Sequence, residues 1–333
     1  MKKMKKLYLI FLIPFIPLIL DVQAQNPLPL QLVQTIPLPH VEGRIDHLDV
    51  DLKGQRLFIA ALGHNTVEIL DLKAGKPIHS ITGLHEPQGI AFVPESNKIF
   101  VTNGQSGTCD IFEGNSFQLI HRIESLGDAD NIRYDATTQL IYIGYGDGAL
   151  ALVDATSDKY LGDIKLEGHP ESFQLEKQGP RIFVNIPSAH HIAVVDREKR
   201  TVLAKWPLKN AQANFPMALD ETHHRLFVGF RKPPKLMVFD TETGQVVAEL
   251  TGVGDSDDIF YDPMHRRIYG IGGEGFIDVF EQKDADHYER VTKIPTASGA
   301  RTGLFVPQFN RIYLAVPHRG NQKAEIRVYE VLG

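Results

Sequence analysis

The chain has 333 residues, of which 43% are hydrophobic and 23% charged, with 28 glycines and 20 prolines dispersed along its length. That composition supports a sizeable buried core and excludes a collagen-like or wholly disordered chain. The formal charge of −6 argues against nucleic acid as a partner, because such binding rests on clustered Lys and Arg that neutralise phosphates.

The first 24 residues differ from the rest. Lys2, Lys3, Lys5 and Lys6 precede an apolar run over residues 7–20, and Val22-Gln23-Ala24 supplies small residues where a signal peptidase reads them. The run is 14 residues long and is interrupted by Pro14 and Pro17, whereas a spanning helix needs roughly 20. The expected organisation is a signal peptide over residues 1–24, cleaved after Ala24, followed by one unit over residues 25–333. That makes the chain an exported protein, periplasmic or secreted, with no membrane span after cleavage. Loss of the segment removes four lysines and Asp21 and takes the charge from −6 to −9. Cys109 is the only cysteine, so no internal disulfide closes the fold. It falls in an apolar row and is expected to be a core residue.

A repeat then runs along the chain. In each copy a mostly basic residue precedes alternating apolar ones, beginning with Arg56-Leu57-Phe58-Ile59 and Lys98-Ile99-Phe100-Val101. The first apolar residues are Leu57, Ile99, Ile141, Ile182, Leu226, Ile268 and Ile312, at spacings of 42, 42, 41, 44, 42 and 44. A second row ends in an acid in every copy: Asp71, Glu113, Asp154, Asp196, Asp240, Glu281 and Glu330. Apolar residues stand two and four positions before each acid, the period of a strand. Four strand candidates per repeat, without helical periodicity, predict an all-β fold, a seven-bladed β-propeller. The seventh repeat ends after its third strand. Residues 32–38 (LVQTIPL) match the fourth-strand pattern, so the ring is expected to close by this N-terminal strand completing the last blade.

Phe100-Val101-Thr102-Asn103, echoed by Ile182-Phe183-Val184-Asn185, resembles the motif of the YVTN-repeat β-propellers, which include the YncE-like exported bacterial proteins. The resemblance spans about residues 30 to 331 and implies architecture rather than activity. Some YncE-like relatives are associated with DNA, which the acidic balance here opposes.

Aligning the repeats shows which residues should line the channel mouth. The position just before each inner strand holds Asp46, Gln88, Asp130, Glu171, Phe215, Asp257 and Arg301. The next holds His47, Gly89, Asn131, Ser172, Pro216, Asp258 and Thr302. The loops between second and third strands are expected on the same face, contributing His64, Asn103, Tyr145, His190, Arg231, Glu274 and Arg319. The candidate ligand-binding residues are Asp46, His47, Gln88, Asp130, Asn131, Glu171, Asp257, Asp258 and Arg301.

Several carboxylates facing one small space require a cation, a base or abundant water. Asp46, His47, Asp130, Glu171 and Asp258 would suit a divalent ion, Ca²⁺, Mn²⁺ or Zn²⁺. The alternative is a wet channel in which Arg301 balances the acids. Two functions follow. The first is a non-enzymatic binding or scaffolding propeller, expected to be monomeric, for an unidentified protein or small molecule. The second is a metal-dependent hydrolase or lyase, as in gluconolactonase-type propellers.

Overall fold

The computed structural model describes residues 28–333 together with Met1, Lys3 and Met4. Apart from those three residues, the expected signal segment lies outside the described residues. Among the described residues no helix is long and apolar enough to cross a membrane. The chain forms seven four-stranded antiparallel sheets arranged as the blades of a propeller, with three short 3₁₀ turns as its helical elements among the described residues.

The inner strands are Leu48–Asp51, Pro87–Val93, Ile132–Asp135, Phe173–Leu175, Gln212–Asp220, Ser256–Asp262 and Gly303–Val306, in blades 1 to 7. Second strands such as Arg56–Ala61 and Arg181–Ile186 are buried on both faces after their first residue, because each is sandwiched between neighbouring blades. Fourth strands such as Lys76–Ile81 lie at the rim and are exposed over most of their length. The apolar and polar rows of the repeat are thus the radial order of the blade.

The two conserved-in-register charged rows have separate duties. In the first five blades the acid ending the third strand accepts from the turn that follows, as in Asp71 Oδ1 from Ala74 N at 2.8 Å and Asp240 Oδ1 from Thr243 N at 2.8 Å. The basic residue opening the second strand reaches into the next blade. Arg181 Nη1 donates to Thr241 O at 2.8 Å, Lys98 Nζ to Thr156 O at 3.0 Å, and Arg225 Nε to Ala285 O at 2.9 Å. Just before this residue the backbone is left-handed in six blades, at Gln55, Asn97, Gln139, His224, Arg266 and Asn310.

Seven apolar clusters fill the seven blade-to-blade interfaces. Cys109 is buried in the one between blades 2 and 3, where burial pushes its thiol pKa up. It is a core residue, as its row implies.

The ring closes as expected. Leu30–Pro37 pairs antiparallel with Glu325–Val331, Leu30 opposite Val331 and Ile36 opposite Ile326, with a register shift between Leu32 and Gln34. Ile36 enters the cluster that joins blades 7 and 1, and Leu30 the one that joins blades 6 and 7. Leu32 and Val33 face outward at the rim. Ile36→Ala should cost about 2–5 kcal/mol, as expected for emptying a packed site, while Leu32→Ala should change stability by less than about 0.5 kcal/mol. Urea unfolding of the two variants checks this, and equal losses would deny the N-terminal strand its place in the core.

Candidate functional site

In six of the seven blades the chain segment leading into the inner strand is held by the same backbone device. In blade 1, Asp46 N donates to Ala60 O at 2.7 Å, and Ala60 N donates to His47 O at 3.0 Å. Two residues therefore face one on the second strand. The same arrangement joins Asp130 and Asn131 to Gly144, and Glu171 and Ser172 to Asn185. In blades 2, 5 and 6 it appears as register shifts at Pro87/Ile90, Asn214/Met217 and Ser256/Asp258. Such a bulge bends the strand end and re-aims its side chains, here toward the axis.

The YVTN-like residues fasten these segments across blades. Gly89 N donates to Thr102 Oγ1 at 2.8 Å, and Thr102 Oγ1 donates to Asp130 O at 2.6 Å. Asn185, the equivalent of Thr102, donates through Nδ2 to Phe215 O at 3.0 Å. Gly89 admits no side chain, because a Cβ there would lie 2.5 Å from Asp130 O.

The result is a cavity of about 220 Å³ lined by all seven residues of the first aligned position: Asp46, Gln88, Asp130, Glu171, Phe215, Asp257 and Arg301. His47, Asn131 and Ser172 of the second position also reach it. Asp258 lines the central channel instead, its Oδ2 accepting from Gly303 N at 2.9 Å. Of the loops between second and third strands only Arg231 reaches the cavity; His64, Asn103, Tyr145, His190, Glu274 and Arg319 do not line it. Arg44, Asp128 and His169 do line it. These three share one alignment row, two positions before the first, which also contains Asp255.

The carboxylates do not converge on one point. Arg44 Nη2 pairs with Asp46 Oδ2 at 2.8 Å. Arg231 pairs with Asp257 and lies over the Phe215 ring, 4.0 Å from its centre. Arg301 Nη2 contacts Asp255 Oδ2 at 2.8 Å and Arg301 Nε contacts Asp257 Oδ2 at 3.8 Å. His47 stands between Asp46 at 3.7 Å and Asp258 at 3.6 Å. Among the described residues no three His, Cys, Asp or Glu side chains assemble into a group that would hold a metal ion. The set Asp46, His47, Asp130, Glu171 and Asp258 therefore does not assemble as a site for the divalent ion that the sequence offered beside a wet, arginine-balanced channel. Asp46 is paired with Arg44, Asp130 stands near His169, and Asp258 is turned into the channel.

The cavity divides into two walls. On the side of blades 5, 6, 7 and 1, arginines and aspartates neutralise one another. On the side of blades 2 to 4, Asp130 has only His169 Nε2 at 3.9 Å, and the Glu171 carboxyl has no partner among the described residues. Asn131 Oδ1 is buried there without a hydrogen bond. Burial, reinforced by Asp130, pushes Glu171 up to about 8. Contact with Asp130 lifts His169 to about 9. Burial alone would depress His47, but Asp258 and Asp46 outweigh it and lift the imidazole to about 10. Burial also raises Asp46 and Asp257. The mouth therefore retains protons that the same residues would release in water.

No family model matches the chain. It is 25% identical over 169 residues to proteins called "Uncharacterized protein YncE" in Salmonella typhimurium and Salmonella typhi, the match covering 49% of this chain and 47% of each relative. The chain thus spans about half the length of the curated relatives it matches. Among solved structures, Kuenenia stuttgartiensis hydrazine synthase superposes with a TM-score of 0.74 at 16% identity, covering 86% of this chain and 97% of that one. The RRP9 WD40 repeats superpose with a TM-score of 0.78 at 9% identity, covering 91% and 100%. At such identities these structures speak for the fold alone. Seven blades and an N-terminal closing strand make this chain a seven-bladed β-propeller, and about half of it is similar to the YncE proteins.

Proposed function

We propose that this exported propeller binds a small hydrophilic ligand bearing a cationic group, seated in the mouth cavity. The observation that carries the reading is the Glu171 carboxyl. It faces a cavity of about 220 Å³ without a partner and is held at about 8 by burial and by Asp130. An ammonium group placed against Glu171 and Asp130 supplies the charge that the acidic wall lacks, and Asn131 Oδ1 is a free acceptor beside it. The arginine wall opposite, already paired with Asp46 and Asp257, orients any anionic end of the same ligand. Export rests on the N-terminal sequence of residues 1–24. A metal-dependent hydrolysis is not supported, because its ligand set does not assemble.

Isothermal titration of small amines, each paired with its uncharged analogue, tests the assignment. The amines should bind, the analogues should not, and Glu171→Gln and Asp130→Ala should each lower affinity roughly ten- to hundredfold, the worth of a charge-assisted bond, while retaining a cooperative melt. Binding near pH 7 should also release protons, read as a dependence of the apparent enthalpy on buffer. Affinity unaltered in both variants would remove the acidic wall from the site.

The raised groups fix the sign of a pH effect. Glu171 and His169 bind protons more tightly folded than unfolded, so their contribution is complete at low pH and is lost as pH rises. For Glu171 the loss runs from its ordinary 4.5 to about 8. The melting temperature should fall across that window. Glu171→Gln should melt increasingly above the native chain as pH climbs from 5 to 9, and parallel curves would contradict the assignment.

A further inference from the structure

Beneath the mouth, the central channel forms a second space of about 840 Å³ that opens among the turns of the opposite face. Its middle is set by one alignment row, three positions beyond the mouth row. Asp49, Arg133 and Gln174 supply the polar members, Phe260 and Leu304 the bulky apolar ones, and Ala91 and Ala218 leave room.

Two of the three polar side chains are already committed. Asp49 Oδ1 accepts from Val50 N at 2.8 Å and its Oδ2 accepts from Phe92 N at 2.6 Å. Gln174 Nε2 donates to Met217 O at 2.8 Å. Arg133 is different. Its Nη1 donates to Ile132 O at 2.8 Å, and its guanidinium lies 5.6 Å from the centre of the Phe173 ring. Among the described residues it has no ion pair and no other hydrogen bond. Arg133 thus borders the channel with most of its donors unpaired among the described residues. Burial lowers its pKa, and Asp258, Asp49 and Asp130 oppose that only from a distance. A guanidinium has five donors in a fixed fork that suits a carboxylate, and enclosing one unpaired is costly.

Blade 3, which carries Arg133, stands across the ring from blades 6 and 7, which carry Phe260 and Leu304. Phe92 of blade 2 and Phe305 of blade 7 also border the channel. We propose that the channel is a second binding site, for a small carboxylate with an aromatic or aliphatic body, its carboxylate on Arg133 and its body against Phe260 and Leu304. The channel opens on the face away from the mouth, so this site does not depend on the mouth ligand.

Titration of the intact chain with benzoate, 4-phenylbutyrate and octanoate, each beside its neutral amide, tests the proposal. At least one carboxylate should bind and its amide should not. Arg133→Met should weaken that binding roughly ten- to hundredfold and should keep or raise the melting temperature, since it removes an unpaired, half-buried charge. Leu304→Trp, which fills the channel and leaves Arg133 intact, should also abolish binding. Arg44→Ala at the mouth should leave it unchanged. Equal binding of acid and amide, no binding of any carboxylate at millimolar concentration, or loss of binding in Arg44→Ala instead of Arg133→Met would each overturn the channel site. Failure of amine binding with carboxylate binding intact would count against the mouth reading alone.

Discussion

The pairing of Leu30–Pro37 with Glu325–Val331 is the constraint on which the rest of the molecule depends. Each blade is a small sheet whose second and third strands are apolar on both faces, so it is soluble only between two neighbours. A linear stack of such units exposes two apolar faces and leaves terminal edges open. Closing the ring turns both ends into one more interface, and seven clusters then occupy seven joints. With Cys109 alone and buried, no covalent link shares this duty. The strand completes blade 7 through its backbone and fills the joints on either side of it through Ile36 and Leu30.

Closure also accounts for the differentiated mouth. In six of the seven blades the bulge at the end of the inner strand is held by backbone hydrogen bonds, which are indifferent to the side chain that the residue carries. Asp46, Glu171 and Phe215 can therefore occupy equivalent positions without disturbing the frame. Most cross-blade ties likewise grip carbonyls, as Thr102 grips Asp130 and Asn185 grips Phe215. A repetitive scaffold and a non-repetitive site are the same structure seen along its backbone and along its side chains.

This separation explains what could be read in the sequence. Blade number, ring closure and the row that lines the mouth follow from apolar spacing and backbone periodicity, which the repeat states seven times. The partners of the mouth acids do not. Arg44, Asp128 and His169 lie two positions earlier, where five of the seven equivalents are left-handed and the turn, rather than the strand period, decides where a side chain points. Arg231 reaches inward because Phe215 offers its ring, while equivalents such as His64 and Glu274 find no such seat. Asp258 follows strand alternation into the channel. The acidic alignment column and Arg301 were legible in sequence, but Arg44, Arg231 and His169, which stand beside Asp46, Asp257 and Asp130, were not. The repeat specifies positions, but pairing depends on side-chain length across blades.

The two cavities along the axis are electrostatically opposite, and of the two residues that line both, His47 and Ser172, only His47 carries a charge. The mouth keeps excess carboxyl groups protonated, while the channel holds an arginine short of an anion. His47 lines both, 3.7 Å from Asp46 on one side and 3.6 Å from Asp258 on the other. The imidazolium balances two aspartates that would otherwise repel across a narrow, poorly solvated neck. Its charge is what allows the two carboxylates to sit so close to the axis. Without it, Asp258 would face Asp46 with no cation between them, although Gly303 N would still hold its carboxylate. His47 thus stands between an acidic mouth and a channel holding an unpaired arginine, and it comes from the first blade, the blade that the closing strand locks to the last.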